Sequence, residues 1–131
     1  MQITRQADYA IRAVLYLATM NTSDRASTSL IASAQGIPSS FLAKIVSQLS
    51  IAGIIHTSRG AKGGVTLAKE PGTISLLDVV EAIDGPVSLN ECTLNPAACN
   101  RSDFCPMHPI WCAAQSELVG KLGSTNFSQF V

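Results

Sequence analysis

Four cysteines fall within 21 residues, in the run Cys92-x6-Cys99-x5-Cys105-x2-His108-x3-Cys112. Thiolates are soft ligands that suit zinc or iron–sulfur clusters. Structural zinc is usually gripped by close pairs such as Cys-x2-Cys. Here the first three thiols are spaced six and five apart on a stretch without helical or strand period. That spacing suits a loop draped around an inorganic cluster better than a zinc knuckle. Pro106 is expected to open a helix directly after Cys105, whose free N–H groups would favour an anionic sulfur there. His108, in the first turn of that helix, reads equally as a ligand or as an exposed side chain. Cys112 lies inside the helix on a turn expected to face away from the loop, and reads as a core or spare thiol. The plain alternative for all four is a set of reduced thiols acting as small hydrophobes. Asp8 is the remaining acid of interest. At helical spacing it would pair with Arg5 or Arg12.

A second constellation is cationic. Ser39, Ser40 and Lys44 occupy the first two turns of a short helix, where hydroxyls and an ammonium can meet bases or phosphates. Arg59 and Lys62 flank a glycine-rich turn, Arg59-Gly60-Ala61-Lys62-Gly63-Gly64, and could grip phosphates or enter a minor groove. The ordinary reading is that the serines cap the helix and Lys44 is a solvated charge.

The elements that must position these groups can be read in order. Apolar residues at Ala7, Ile11, Val14, Leu15 and Ala18 predict a helix from Thr4 to about Met20. A short helix follows over 30–35, capped by Thr28 or Ser29 and stopped at Gly36. Pro38 introduces the next helix, with a stripe of Phe41, Leu42, Ile45, Val46 and Leu49 that ends at Gly53. Two short helices joined through Gly36-Ile37-Pro38 form a helix-turn-helix. Strands over 54–58 and 65–68, with the basic turn between them, make the order that of a winged helix. Ser75 and Asp78 resemble a capping box, before a helix with buried Leu76, Leu77, Val80 and Ile83. Asp84-Gly85-Pro86 stops it. The last helix is expected from Pro106 to about Leu122, with Trp111, Ala114, Leu118 and Leu122 along one stripe. The tail from Gly123 is short and polar and is expected to be loosely held. The fold class is thus mainly α with a small β-hairpin wing, a winged helix-turn-helix followed by a long C-terminal helix. The segments divide as 1–85, the winged-helix DNA-binding domain, 86–106, the cysteine loop, and 107–131, the dimerisation helix and tail.

Composition narrows the function classes. The chain has 131 residues, 47% hydrophobic and 14% charged, enough apolar content for one packed domain and too few charges for a disordered one. An aromatic share of 5% argues against a stacking platform for single strands. The first twenty residues spread Arg5, Asp8 and Arg12 through the apolar positions, so they read as mature structure of a cytoplasmic protein and not as a signal peptide. Net charge is zero, yet residues 1–69 hold seven basic and two acidic side chains and residues 70–131 the reverse. A basic half followed by an acidic half suggests that the first half alone meets a polyanion. Enzymatic redox work is disfavoured by the lack of a Cys-x2-Cys pair and of a nucleophile–base constellation.

Five pieces in order resemble the IscR/NsrR superfamily of bacterial winged-helix regulators. They are Ile3-Thr4-x3-Asp8-Tyr9-Ala10-x-Arg12, Gly36-Ile37-Pro38-x2-Phe41-Leu42-x2-Ile45, the wing Arg59-Gly60-x-Lys62-Gly63-Gly64, the stretch Leu76-Leu77-Asp78-Val79-Val80-Glu81-Ala82-Ile83-Asp84-Gly85, and the three-cysteine loop before a long helix. The resemblance implies a homodimer whose C-terminal helices cross-pack near Trp111 and Leu118. Two helix-turn-helix units would then read a two-fold-related double-stranded DNA operator. It further implies a [2Fe-2S] or [4Fe-4S] cluster on Cys92, Cys99 and Cys105. The fourth ligand is His108 in one pattern of the family and Asp8 of the partner subunit in the other. The reading leans to Asp8, a position often uncharged or basic in the His-ligated branch, and to [4Fe-4S]. The expected function is an iron–sulfur transcriptional regulator, a repressor, sensing nitric oxide, redox state or iron–sulfur status. The alternative is a regulator of the same family using a thiol switch or structural zinc. Ala43 and Lys44 depart from better-known members, so the operator need not be theirs.

Overall fold

A computed structural model describes residues 2–21, 23–61 and 63–131. The first helix, α1, spans Arg5–Ala18, and the Thr4 side chain caps it by accepting from the Ala7 N–H at 3.1 Å. Its buried face is centred on Ala7, Ala10, Ala13, Val14 and Leu17, with Ile11 and Leu15 at the edge of the core. The small side chains matter because helices approach as closely as their contact residues allow. The neighbour is α4, Leu76–Asp84, the element with which α1 packs most extensively. Thr4 Oγ1 also donates to Asp84 Oδ1 at 2.6 Å, fastening the start of α1 to the end of α4.

Helix α2 covers Thr28–Gln35 and α3 covers Ser39–Ile51. The cap of α2 is Ser27, one residue ahead of the expected Thr28 or Ser29, and its hydroxyl accepts from the Leu30 N–H. Gly36 closes α2 at φ +64°, a left-handed conformation that suits glycine. Leu42, Ile45, Val46 and Leu49 of α3 are buried, while Phe41 is pushed to the rim and rests against Tyr9 with ring centroids 6.0 Å apart.

Strands β1, Ile55–Ser58, and β2, Gly64–Leu67, pair antiparallel with Ile55 opposite Leu67 and Ser58 opposite Gly64. Ala26 adds a bridge on the outer edge of β2, exchanging backbone hydrogen bonds with Val65 at 3.2 and 2.7 Å. Two glycines hold this wing tight. A Cβ on Gly63 would strike the Ser58 carbonyl oxygen, and one on Gly64 would stand 2.9 Å from the Ala26 oxygen.

The capping box of α4 is present, with Asp78 N–H to Ser75 Oγ at 3.0 Å and Ser75 N–H to Asp78 Oδ2 at 2.9 Å. Its burial centre is Val79 and Val80, and Leu76, Leu77 and Ile83 are half-buried around them. A one-turn helix, α5, Glu91–Leu94, interrupts the cysteine loop. Helix α6 spans His108–Ser124 and starts two residues later than expected, because Pro106 and Met107 form a turn ahead of it. No residue of α6 is buried within the protomer.

The tail is not loosely held. Phe127 is 2% exposed and belongs to the same core as Val14, Ile45 and Val79. The Leu76 N–H donates to the Thr125 oxygen at 2.7 Å, and the Phe127 N–H to the Ile74 oxygen at 3.2 Å. Among the described residues no helix is long and apolar enough to cross a membrane.

Candidate nucleic-acid interface and cysteine cluster

The exposed face of α3 follows from its buried one. With Leu42, Ile45 and Leu49 turned inward, Ser39, Ser40, Ala43, Lys44 and Ser47 are left outward. The cap position is Pro38, which makes no side-chain cap bond, so neither serine is spent on capping. A groove runs between this face and the wing. Ala43, Ser47 and Ser50 line one wall, and Thr57, Ser58 and Arg59 the other. Arg59 is exposed at the end of β1, just before the turn. Lys62, the second expected wing cation, lies outside the described residues.

Cys92 is buried in α5, where that helix packs on α6. Burial pushes the Cys92 thiol above the ordinary range, and the charges of Cys112, Cys99 and, more weakly, Cys105 push it further. Cys99 and Cys105 are half-buried free thiols. Cys112 is half-buried, and it exerts the largest charge effect on Cys92 after burial itself. Its Sγ lies 3.5 Å from His108 Nε2, one helical turn back. The sequence signal was available in the i,i+4 spacing of His108 and Cys112, but it was outweighed by the distance of Cys112 from the loop thiols along the chain. The first N–H of α6, that of His108, donates to the Cys105 carbonyl oxygen at 3.2 Å, where an approach to the Cys105 sulfur was expected.

A clasp holds this junction. Gln115 of α6 accepts from the Leu89 N–H at 2.9 Å and donates to the Val87 oxygen, pinning the stretch that leads into α5. Among the described residues no three Cys, His, Asp or Glu side chains converge to the spacing of a single metal ion. An iron–sulfur cluster is itself several atoms wide, so its thiolates stand further apart than those of a zinc site. Four free thiols and one imidazole are donors of the soft kind that either a cluster or zinc takes.

Asp8 stands apart from the thiols of its own protomer. Its carboxylate pairs with Arg12 at 2.7 Å on the half-exposed surface of α1. The Arg12 guanidinium also lies over the Tyr9 ring, 5.5 Å from its centroid. Asp8 lines a shallow groove with Ile3, Arg5 and Tyr9.

These features have counterparts elsewhere. A sequence profile described as Rrf2, iron-dependent transcriptional regulator, matches residues 3–131. Over 89 residues the chain is 42% identical to a protein of Mycobacterium tuberculosis named as the HTH-type transcriptional regulator MT1325. That match takes in 67% of this chain and 55% of the relative, so the chain spans little more than half of that relative's length. CymR (YrzC), the global cysteine regulator of B. subtilis, superposes with a TM-score of 0.81 at 24% identity, over 98% of this chain and 94% of its own. IscR of T. potens superposes with a TM-score of 0.77 at 23% identity, over 98% and 84%. At such identities the two structures show a shared fold.

Proposed function

The chain belongs to the Rrf2 family of transcriptional regulators, and from that membership we propose that it is a cytoplasmic, homodimeric repressor whose hold on a DNA operator is set by an iron–sulfur cluster. The family is one of regulators, not enzymes. The observation that carries the reading is an exposed α3 beside a wing, in a chain that also holds four free thiols, one of them, Cys92, buried. Ser39, Ser40 and Lys44 would read the major groove, and Arg59 and Lys62 would hold the flanking backbone.

Cys92, Cys99 and Cys105 would hold the cluster, with His108 or Asp8 of the partner subunit completing it. When bound, the cluster supplies a centre that oxidants, nitric oxide or iron shortage can alter or remove. The protein residues do the rest. Gln115 fixes the cysteine loop on α6, α6 packs on α4, and α4 packs on α1 and α3. A rearrangement at the thiols thus has a contiguous packed route to the recognition helix. Ligation by Asp8 would add a second consequence. The carboxylate would have to leave Arg12, freeing a cation on the same helix that buries the DNA-binding domain's core. Dimerisation is supported by α6, which has no fully buried residue and which, with Met107 just ahead of it, exposes Ile110 and Trp111.

The test is anaerobic purification with visible absorption, iron and sulfide analysis, and DNA binding measured before and after chelation of iron. Asp8→Ala and His108→Ala variants are compared with wild type. A brown protein whose spectrum changes with one of the two substitutions identifies the fourth ligand. A colourless protein after anaerobic reconstitution sinks the cluster reading. A thiol switch is then the second reading, favoured by the 3.5 Å contact of Cys112 with His108 beside Cys92. It requires DNA affinity that falls or rises with peroxide and returns with dithiothreitol.

A further inference from the structure

A cleft on the outer side of the wing serves neither α3 nor the cysteines. Its walls are Ser23, Asp24, Arg25, Arg59, Ala61 and Gly63. Arg25 belongs to the link between α1 and α2, a segment with no helical or strand pattern to single it out in the sequence. Three contacts fix its position. The adjacent residue, Ala26, is bonded on both sides of its peptide to Val65 of β2. The Arg25 guanidinium donates to Ser58 Oγ at the end of β1. Its stem lies so close to the backbone at Gly64 that a Cβ there would stand 3.1 Å from Arg25 Cβ. Arg25 is therefore carried by the wing, although it precedes the wing by thirty residues or more along the chain.

The charge balance in the cleft is unmet. Among the described residues neither Arg25 nor Arg59 enters an ion pair. The acid beside them, Asp24, accepts from the Asn21 amide at 3.3 Å. Two guanidinium groups without carboxylate partners on one cleft are suited to an anion with several oxygens, since each presents a planar fork of donors. Arg59 and Gly63 line this cleft and also the groove beside α3. The two depressions meet at the wing tip, so a strand leaving the α3 groove passes directly onto the cleft.

We propose that Arg25 and Arg59 form a phosphodiester-binding cleft, in which Arg25 grips the DNA backbone flanking the segment that α3 reads. This rests on the DNA-binding reading above and adds a contact outside the helix-turn-helix and the wing turn. The anion is a backbone phosphate of double-stranded DNA. Ser58 holds one donor of Arg25 and leaves the others for phosphate oxygens.

The experiment measures binding of a fluorescently labelled random-sequence duplex of about 30 base pairs by anisotropy, from about 50 to 200 mM salt. Random sequence is sufficient, because phosphate contacts carry nonspecific affinity. Each phosphate contact contributes about 0.9 to the slope of log affinity against log salt. Arg25→Ala is expected to flatten that slope by about 0.9 and to weaken binding about eight-fold at 0.1 M salt. Arg25→Lys is expected to recover most of the slope, because the charge is kept. Ser58→Ala, which frees the guanidinium without removing its charge, is expected to cost less than Arg25→Ala. An unchanged slope in Arg25→Ala, with wild type binding normally, overturns the proposal. Arg25→Gln repeats the measurement should the alanine variant fold poorly. Wild-type protein that ignores the duplex at every salt concentration would overturn the DNA-binding reading itself, and the cleft with it.

Discussion

Replacing Phe127 by alanine tests whether the C-terminal segment is structural. The ring is 2% exposed and sits in the main core, although it follows a stretch of Gly, Ser, Thr and Asn. An aromatic side chain removes on the order of 150–250 Å² from water. At about 25 cal/mol per Å² that burial corresponds to roughly 4–6 kcal/mol, an upper bound because the unfolded chain already hides some of it. Alanine retains a small part, and the cavity adds to the loss, so the expected destabilisation is about 3–5 kcal/mol. Whole domains hold only about 5–15 kcal/mol, so the variant would lose a large share of its stability. Urea unfolding at fixed protein concentration reads this directly. With a slope of about 1–3 kcal/mol per molar, the midpoint should fall by roughly 1–5 M at unchanged slope. Phe130→Ala is the internal control, because Phe130 is 60% exposed and its loss should cost little. A Phe127→Ala midpoint indistinguishable from that control would refute the placement of the tail in the core.

Three further outcomes are expected. Gly64→Ala would force a Cβ to within 2.9 Å of the Ala26 oxygen at φ +150°, so it should cost about 1–3 kcal/mol in urea unfolding and weaken duplex DNA binding with it. Ser75→Ala removes the capping bond to the Asp78 N–H and should cost about 1 kcal/mol, with no effect on the spectrum of any bound cluster. Cys92, buried and pushed up by its neighbours, should be the slowest of the four thiols to react with iodoacetamide at pH 8, as followed by mass spectrometry of the metal-free protein. Because the unfolded chain loses that proton first, the contribution of Cys92 to stability is present at neutral pH. It declines as pH rises through the ordinary thiol range of about 8.5, which an alkaline series of unfolding curves would register.

What the sequence made legible was local. Gly36 and Pro38 punctuate the helix-turn-helix, the glycines at 63 and 64 mark the wing, and Ser75 with Asp78 announces α4, because each acts through its own backbone. What escaped was long-range. Phe127 follows no apolar period, and its partners Val14 and Val79 lie far away in the chain. Cys112 stands in no apolar stripe, and its contact with His108 shows only in the fold. Phe41 fits the α3 stripe by spacing, yet it is spent on Tyr9 at the rim. Arg25 carries no motif, and only the Ala26–Val65 bridge gives it a place beside the wing.

The anchoring of Phe127 also orders events on the ribosome. The residues it packs against, from Val14 to Val79, are synthesised first and leave the tunnel as an apolar surface missing its final side chain. At about 5–20 residues per second, the fifty or so residues from Ile74 to Phe127 occupy roughly 3–10 seconds. During that interval the cysteine loop and α6 emerge while the nucleic-acid-binding half is still unsealed. The nascent winged helix is thus expected to become protease-resistant only after Phe127 has cleared the exit, when all four thiols have already emerged.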